Sequence, residues 1–239
     1  MSELLNQYGQ PVGHPMPDWS ARARPQRISL EGQYCRIEPL NAEAHGPALF
    51  TAYHLAGDGR DWTYLGVERF DQQADYLHYL SQCEQSPDPF FYTIIDKHSG
   101  QAVGTISLMR IDPANGVIEV GNVSFSPALK QSPLSTEAQF LMMHYAFETL
   151  GYRRYEWKCD SRNAPSRKAA DRLGFSFEGI FRQAIVYKGR SRDTAWYSII
   201  DSEWPEVKAG FLAWLAADNF DEAGKQRQSL KALRESRQV

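Results

Sequence analysis

Four short stretches of this chain carry side chains with chemical use. The first is Lys130-Gln131-Ser132-Pro133-Leu134-Ser135-Thr136, a basic and hydroxyl-rich run ahead of an apolar periodic segment. The opening turn of a helix leaves its N–H groups unpaired and carries positive partial charge, which suits a pyrophosphate. Pro133 has no N–H to give, so the hydroxyls of Ser132, Ser135 and Thr136 are expected to compensate. The same residues also describe a plain helix start, with Ser132 or Ser135 as an ordinary cap. The second stretch is Asn163-Ala164-Pro165-Ser166. Asn163 is a good N-cap whose amide keeps further capacity for a ligand, and Ser166 falls at an ordinary N3 position. Arg162, Arg167 and Lys168 beside it are either phosphate partners or a solvated helix face. The third is Glu119, a carboxylate inside a strand-like run. The fourth is the charged set Glu178, Arg182, Arg192 and Asp193, which either fixes strand register by cross-strand pairing or borders a binding site.

The elements that must hold these residues are legible from periodicity. Residues 1 to about 30 are rich in Pro, Gly and Arg, lack a repeat, and read as an extended arm pinned by Trp19. Gln33 to Leu40 alternates like a strand, and Asn41 caps a helix with Leu49, Phe50 and Tyr53 on its apolar side. A second helix is expected from Asp71 to Gln85. Three strands then follow, Phe90–Asp96, Ala102–Ile111 and Val117–Phe125, joined by short turns that favour an antiparallel meander. Thr136 to Leu150 is helical and stopped by Gly151; Arg154–Cys159 is a strand; Asn163–Leu173 is a helix closed by Gly174. A hairpin turns at Lys188-Gly189-Arg190, and the tail carries Trp204, Phe211, Trp214 and Leu215 on one helical side before a polar, fraying end from Gln226. The crossover from Val123 through Cys159 places two strands in parallel inside a mostly antiparallel sheet.

Composition sets the class. With 239 residues, 42% hydrophobic and 13% aromatic, the chain has enough material for one α/β core with terminal additions. A net charge of −3 argues against a nucleic-acid binder that relies on general phosphate attraction. Cys35, Cys83 and Cys159 are scattered and lack histidine at ligand spacing, so neither a metal site nor a disulfide frame is indicated, and a reducing, cytoplasmic setting fits. The first residues do not resemble a signal peptide, and no run is apolar enough for a membrane span.

Four local pieces in this order resemble the GNAT acetyltransferases, in the branch similar to ribosomal-protein N-terminal (alanine/serine) acetyltransferases. They are Ile118-Glu119-Val120-Gly121, Ser135-Thr136-Glu137-Ala138, Asn163-x-x-Ser166, and Arg172-Leu173-Gly174-Phe175-x-x-Glu178-Gly179. The resemblance implies a GNAT fold: a mixed, mostly antiparallel central sheet flanked by helices, with a V-shaped splay between its two parallel central strands. It divides the chain into an arm over 1–30, an acetyltransferase domain over 31–202 and a helical extension over 203–239. It implies acetyl-CoA as cosubstrate, no metal, and a primary amine acceptor, a protein N-terminus or a small molecule. Lys130, Gln131, Ser132, Leu134, Ser135 and Thr136 are then expected at the pyrophosphate, and Val123 and Phe125 along the pantetheine arm through their backbone. Asn163 is expected on that arm as well, Ser166 near the thiol or the adenosine phosphates, and Arg167 with its neighbours Arg162 and Lys168 at the 3′-phosphate. Glu119 becomes the candidate base and the Val123 N–H an oxyanion donor. The tyrosine that many members use as thiolate acid is absent, since Ala169 and Ala170 stand there, and Ser166 is the nearest substitute.

The N-terminal arm and the aromatic segment Asp61–Leu65 are expected to cover the acceptor. Two other readings stand beside the enzyme. One is a non-catalytic CoA-binding or protein-interaction module on the same fold; the other uses Cys159 as a nucleophile, although no activating His or Asp accompanies it. The aromatic C-terminal helix is expected to cover either the domain's own sheet or that of a second copy in a homodimer.

Overall fold

The computed structural model describes residues 4–236. Eight strands form one sheet in the order β1-β2-β3-β4-β5-β6-β8-β7. In chain order these are β1 (Leu30–Glu31), β2 (Cys35–Pro39), β3 (Phe90–Asp96), β4 (Ala102–Asp112), β5 (Val117–Phe125), β6 (Arg154–Asp160), β7 (Ser176–Tyr187) and β8 (Arg190–Ile200). The helices are α1 (Ala42–His54), α2 (Gln73–Gln85), α3 (Pro133–His144), α4 (Ala164–Leu173), α5 (Trp204–Leu215) and α6 (Leu230–Glu235). The expected meander β3-β4-β5 is antiparallel throughout, and β5 pairs with β6 in parallel.

Strand alternation divides the core into two. One face of the sheet, with Ile94, Ile106, Leu108, Ile118, Val120 and Tyr155, packs on α3 and α5 through Met142, Met143 and Phe211. The other face is covered over β2–β4 by α1 and α2, which bury Leu49, Tyr53, Tyr76 and Leu80 around Trp62 and Ile95. Asn41 caps α1 as its position suggests, its Oδ1 accepting from Ala44 N at 2.8 Å. After His144 the expected long helix widens into one π turn, Tyr145–Thr149, and Gly151 ends it at φ 70°.

The arm is pinned by Trp19 as expected: its Nε1 donates to Ala114 O at 2.8 Å, and Arg22 N donates to Pro113 O at 2.9 Å. Both partners sit in the β4–β5 turn, beside the start of β5, so this part of the arm lies at the opposite end of the sheet from the end of β5. The tail does not fray over its described length. Phe140 and Phe147 of the α3 segment lie 6.2 and 5.0 Å from the Trp204 ring, and Arg234 of α6 donates to Arg172 O at 3.1 Å, satisfying the end of α4. The extension covers the domain's own helices.

Glu137 has a structural use that spacing alone hides. Its buried carboxylate accepts from the backbone N–H groups of Gln33, Tyr34 and Cys35 at 2.6, 2.7 and 2.7 Å, fastening the β1–β2 turn to α3. A Cβ on Gly32 would stand 2.5 Å from that carboxylate, so only glycine fits. Glu137→Gln places an NH2 group against one of three donors and is expected to lower unfolding free energy by about 2–3 kcal/mol in urea titrations.

Candidate active site

The β5–β6 ladder holds for four pairs, Val117↔Arg154 to Val120↔Trp157, and then stops. Beyond that point β6 continues against β8 alone, through Cys159↔Ala195 and Asp160↔Thr194, while β5 continues against β4. The parting coincides with a bulge. Thr105 pairs with Ser124 and Ser107 with Gly121, so Ile106 faces two residues, Asn122 and Val123, and Asn122 takes φ 48°. Three contacts hold the bulge. Asn122 Nδ2 donates to Ser107 Oγ at 3.0 Å, Ser107 Oγ donates to Gly121 O at 2.9 Å, and the Tyr53 hydroxyl donates to Ser124 O at 3.0 Å. At Gly121 a Cβ would stand 2.2 Å from Met109 Sδ, so any larger residue there must displace that side chain. The result is a V-shaped gap at the C-terminal ends of the two parallel strands.

On the α3 side of the gap, Val123, Phe125 and Leu134 pack against the larger core. Helix α3 starts with Pro133 at its first position, and Ser132 makes no side-chain cap. The Ser132 hydroxyl donates instead to Leu129 O at 2.7 Å, and the Ser135 hydroxyl to Ser132 O at 2.8 Å. Thr136 is buried, and its Oγ1 accepts from Arg172 Nη2 at 3.0 Å. The Ser132 and Ser135 hydroxyl protons are thus engaged within the protein, whereas Thr136 Oγ1, an acceptor here, keeps its own proton. Beside these hydroxyls, the first-turn amides of Leu134 and Ser135 lack a helical acceptor and suit an anion. Gln131 just before them takes φ 55°. The exposed Lys130 ammonium lies 2.5 Å from Asp61 Oδ1.

Across the gap, Asn163 Oδ1 accepts from Ser166 N at 3.2 Å and caps α4, and Trp157 Nε1 donates to Ser166 Oγ at 3.0 Å. Ser166 is thereby held against β6. Arg167 is tied to Tyr197 Oη at 3.1 Å and Ser161 O at 3.4 Å, which directs its guanidinium toward β8. Cys159 is buried, and burial raises its thiol pKa, the opposite of an activated nucleophile.

Glu119 lies on the other face, opposite Met109 in the register and level with Glu156. Only 3% of it is exposed. Lys158 Nζ bridges it to Glu156 at 2.9 and 2.6 Å and sits 3.8 Å from the Trp196 ring centre, while Arg110 Nε is 3.3 Å from the same Glu119 oxygen. Burial pushes the Glu119 carboxyl above the ordinary carboxylate range; Lys158 and then Arg110 oppose that shift. Glu178 ends the same polar row. It receives two bonds from Arg154, at 2.7 and 2.5 Å, and one from Ser198 Oγ at 2.6 Å. Asp193 accepts from Gln183 N at 2.7 Å. These two carboxylates of the hairpin set fix strand geometry.

The segment from Arg60 to Phe70 lies over the end of the gap as a strap. Asp61 meets Lys130 on one wall, and the Tyr64 hydroxyl donates to Arg162 O at 3.2 Å on the other. At the hairpin tip Lys188 Nζ donates to Trp62 O at 2.8 Å and pairs with Glu68 at 2.8 Å.

Residues 36–176 match the model of the acetyltransferase (GNAT) domain. This chain belongs to the GNAT acetyltransferase family. A GCN5-related N-acetyltransferase from Brucella melitensis is similar at 50% identity, covering 92% of this chain and all of that one with a TM-score of 0.91. A probable GNAT acetyltransferase from Chromobacterium violaceum is 41% identical over 82% of this chain and 98% of its own, with a TM-score of 0.76. The ribosomal-protein-serine acetyltransferase of Escherichia coli (strain K12) is 35% identical over 104 residues, 43% of this chain and 58% of that protein. The chain is thus an N-acetyltransferase, and its family uses acetyl-CoA as cosubstrate. Among the described residues no helix is long and apolar enough to cross a membrane.

Within this GNAT acetyltransferase the residues expected from sequence, Val123, Phe125 and Leu134 on one side and Asn163 and Ser166 on the other, flank the gap, but Tyr53, Asn122 and Lys158 were missed. Tyr53 stood among apolar helix positions and Asn122 among strand residues, so neither type nor period marked them. The charge of Glu178 gives a direct test. Its bonds from Arg154 hold its carboxyl at about 2, below the ordinary 4.5. A depressed acid stabilises the fold above its unfolded value, and that stability is lost as pH falls from 4.5 toward about 2. Glu178→Gln should cost about 1–2 kcal/mol at neutral pH, discounted for its partial exposure, and the gap to wild type should close in melts taken near pH 2.

Proposed function

We propose that this enzyme moves the acetyl group of acetyl-CoA directly to a primary amine held on the Glu119 face of the sheet. The observation that carries the reading is the gap between β5 and β6. It joins the two faces of the sheet, with the uncapped start of α3 on one side and a buried carboxylate on the other. Supporting the cofactor side are the free amides of Leu134 and Ser135, the basic Lys130 nearby, and the left-handed turn at Gln131. Val123 and Phe125 would line the pantetheine arm, and Asn163 and Ser166 the opposite wall. Arg167, tied to Tyr197, would contribute by shaping α4. The three cysteines, all buried and free, suit a reducing cytoplasm.

In the proposed mechanism an alkylammonium with a pKa near ~10.4 must lose a proton before its lone pair attacks the thioester carbonyl. Glu119 takes that proton, directly or through water, and a backbone N–H at the bulge, assigned to Val123, meets the charge that grows on the carbonyl oxygen. As the C–S bond breaks, CoA leaves as a thiolate and the second proton of the attacking nitrogen passes to it. Ser166, whose Oγ accepts from Trp157, is the nearest hydroxyl on the α4 wall to relay that proton. The position of Glu119 beside Lys158 keeps a proton acceptor available in a dry site. The similarity to a ribosomal-protein-serine acetyltransferase supports a peptide N-terminus as one acceptor class, and small amines remain the other.

Acetyl-CoA titrated into the protein should give a one-to-one isotherm, and thiol release should follow when amines are added. Glu119→Gln should keep acetyl-CoA affinity within about twofold while kcat/KM falls by about 10²–10⁴. The wild-type kcat/KM should also drop as pH falls through a carboxylate titration above 4.5, a limb missing in the variant. Equal turnover by both proteins would remove Glu119 from the mechanism. Lys130→Ala should raise the KM for acetyl-CoA about fivefold with little change in kcat.

A further inference from the structure

The Glu119 face holds a cavity of about 200 Å³ between α1, α2 and the strap, lined by Tyr53, Trp62, Tyr76, Tyr79, Phe91 and, at the β5 edge, Asn122 with Ser124. Those last two residues belong to the bulged wall of the splay, so the cavity stands beside the place where the two substrates meet. We propose that it is the acceptor's side-chain subsite. It takes an uncharged apolar group, of leucine to phenylalanine size, attached close to the amine that is acetylated. This inference rests on the amine-acetylation reading above.

Four observations carry it. The lining contains no charged side chain, so a carboxylate or ammonium entering it would lose water without a counter-charge. The volume exceeds the ~150 Å³ that accommodates a benzene ring in an apolar protein cavity. The aromatic wall is rigid: the Trp62 ring meets Tyr53 edge-on at 5.6 Å and Phe70 at 5.9 Å, while Lys188 anchors Trp62 O at 2.8 Å and Val67 O at 3.3 Å from the far side. A wall held from both sides does not collapse to fill the space, and a preformed apolar cleft binds without an ordering cost. At its floor the Tyr53 hydroxyl is already shared between Ser124 O at 3.0 Å and Thr105 Oγ1 at 3.2 Å. Recognition there rests mainly on shape and apolar area. Gly66 stands at the exposed mouth, with nothing within 4 Å of a Cβ built there, so a larger side chain fits without backbone strain.

The test compares glycinamide, aspartic acid α-amide, leucinamide and phenylalaninamide as acceptors at saturating acetyl-CoA. Leucinamide or phenylalaninamide should exceed glycinamide in kcat/KM by about tenfold or more, and the aspartyl amide should be the poorest. Gly66→Phe should erode the apolar preference at least about tenfold relative to glycinamide while the calorimetric affinity for acetyl-CoA holds. Equal use of all four amides by wild type, or a uniform loss in Gly66→Phe, overturns the subsite. Direct contact is read separately by saturation-transfer NMR on the wild-type protein with CoA. Ring protons of phenylalaninamide should show transfer, and it should be lost in a Gly66→Phe protein that still binds CoA. If CoA binds and no amine turns over, the acetylation reading fails instead, and absence of ring transfer in the same sample sinks the subsite as well.

Discussion

The whole arrangement depends on a hydrogen-bond ladder that ends early. β5 and β6 pair over four residues and then part, because the Asn122–Val123 bulge bends β5 toward β4 while β6 stays committed to β8. A continuous parallel sheet is a wall that separates its two faces. This sheet has a doorway at the C-terminal end of its parallel pair, where chains of this general kind place ligands. Helix α3 points its uncapped start at one side, and the buried charge row lies on the other. Remove the bulge and the two sides lose contact, however well each is built.

Keeping the doorway open requires support from outside the two strands. Tyr53 of α1 holds Ser124 O, Ser107 of β4 holds Gly121 O, and Asn122 closes the triangle to Ser107. The strap adds a second frame, tied by Asp61 to the β5 wall, by Tyr64 to the β6 wall and by Lys188 to the hairpin tip. Each tie uses a polar group that otherwise belongs to water. Together they fix loop geometry that backbone pairing alone does not determine.

How far this was legible from sequence follows from the nature of each signal. The strands Phe90–Asp96 and Val117–Phe125 coincide with their expected limits, because short runs rich in aromatic and β-branched residues between glycine and proline turns are a strong local pattern. The start of α4 was visible as Asn163, whereas α3 begins at Pro133, three residues before the expected Thr136, because proline suits a first helical position. The use of Glu137 was not visible, since its three donors lie about a hundred residues upstream and nothing local announces them. The arm's anchor is hidden for a related reason: Trp19 signals an anchor, but only tertiary structure tells that its partner is Ala114 in the β4–β5 turn. The partners of the Ser132, Ser135 and Thr136 hydroxyls are hidden too, because residue type shows capacity for hydrogen bonding and not its direction.

The charge row on the Glu119 face asks for an explanation that stability does not supply. Burying Glu119, Glu156 and Lys158 together costs hydration that their mutual attraction only about offsets, and an apolar cluster of equal volume is often as stable. Nor does the row fix register by itself, since Trp157 and Tyr155 already do so from the other face. The feature that an apolar cluster lacks is a carboxyl whose pKa burial pushes above the ordinary carboxylate range while a neighbouring ammonium opposes the shift. That is the property a proton acceptor for an ammonium substrate needs in a dry cleft. Arg110, half exposed at the edge of the row, adds charge where solvent can still screen it, so the balance at Glu119 is set mainly by Lys158 inside. The network is therefore better explained by the reaction proposed for the doorway beside it than by the fold it sits in.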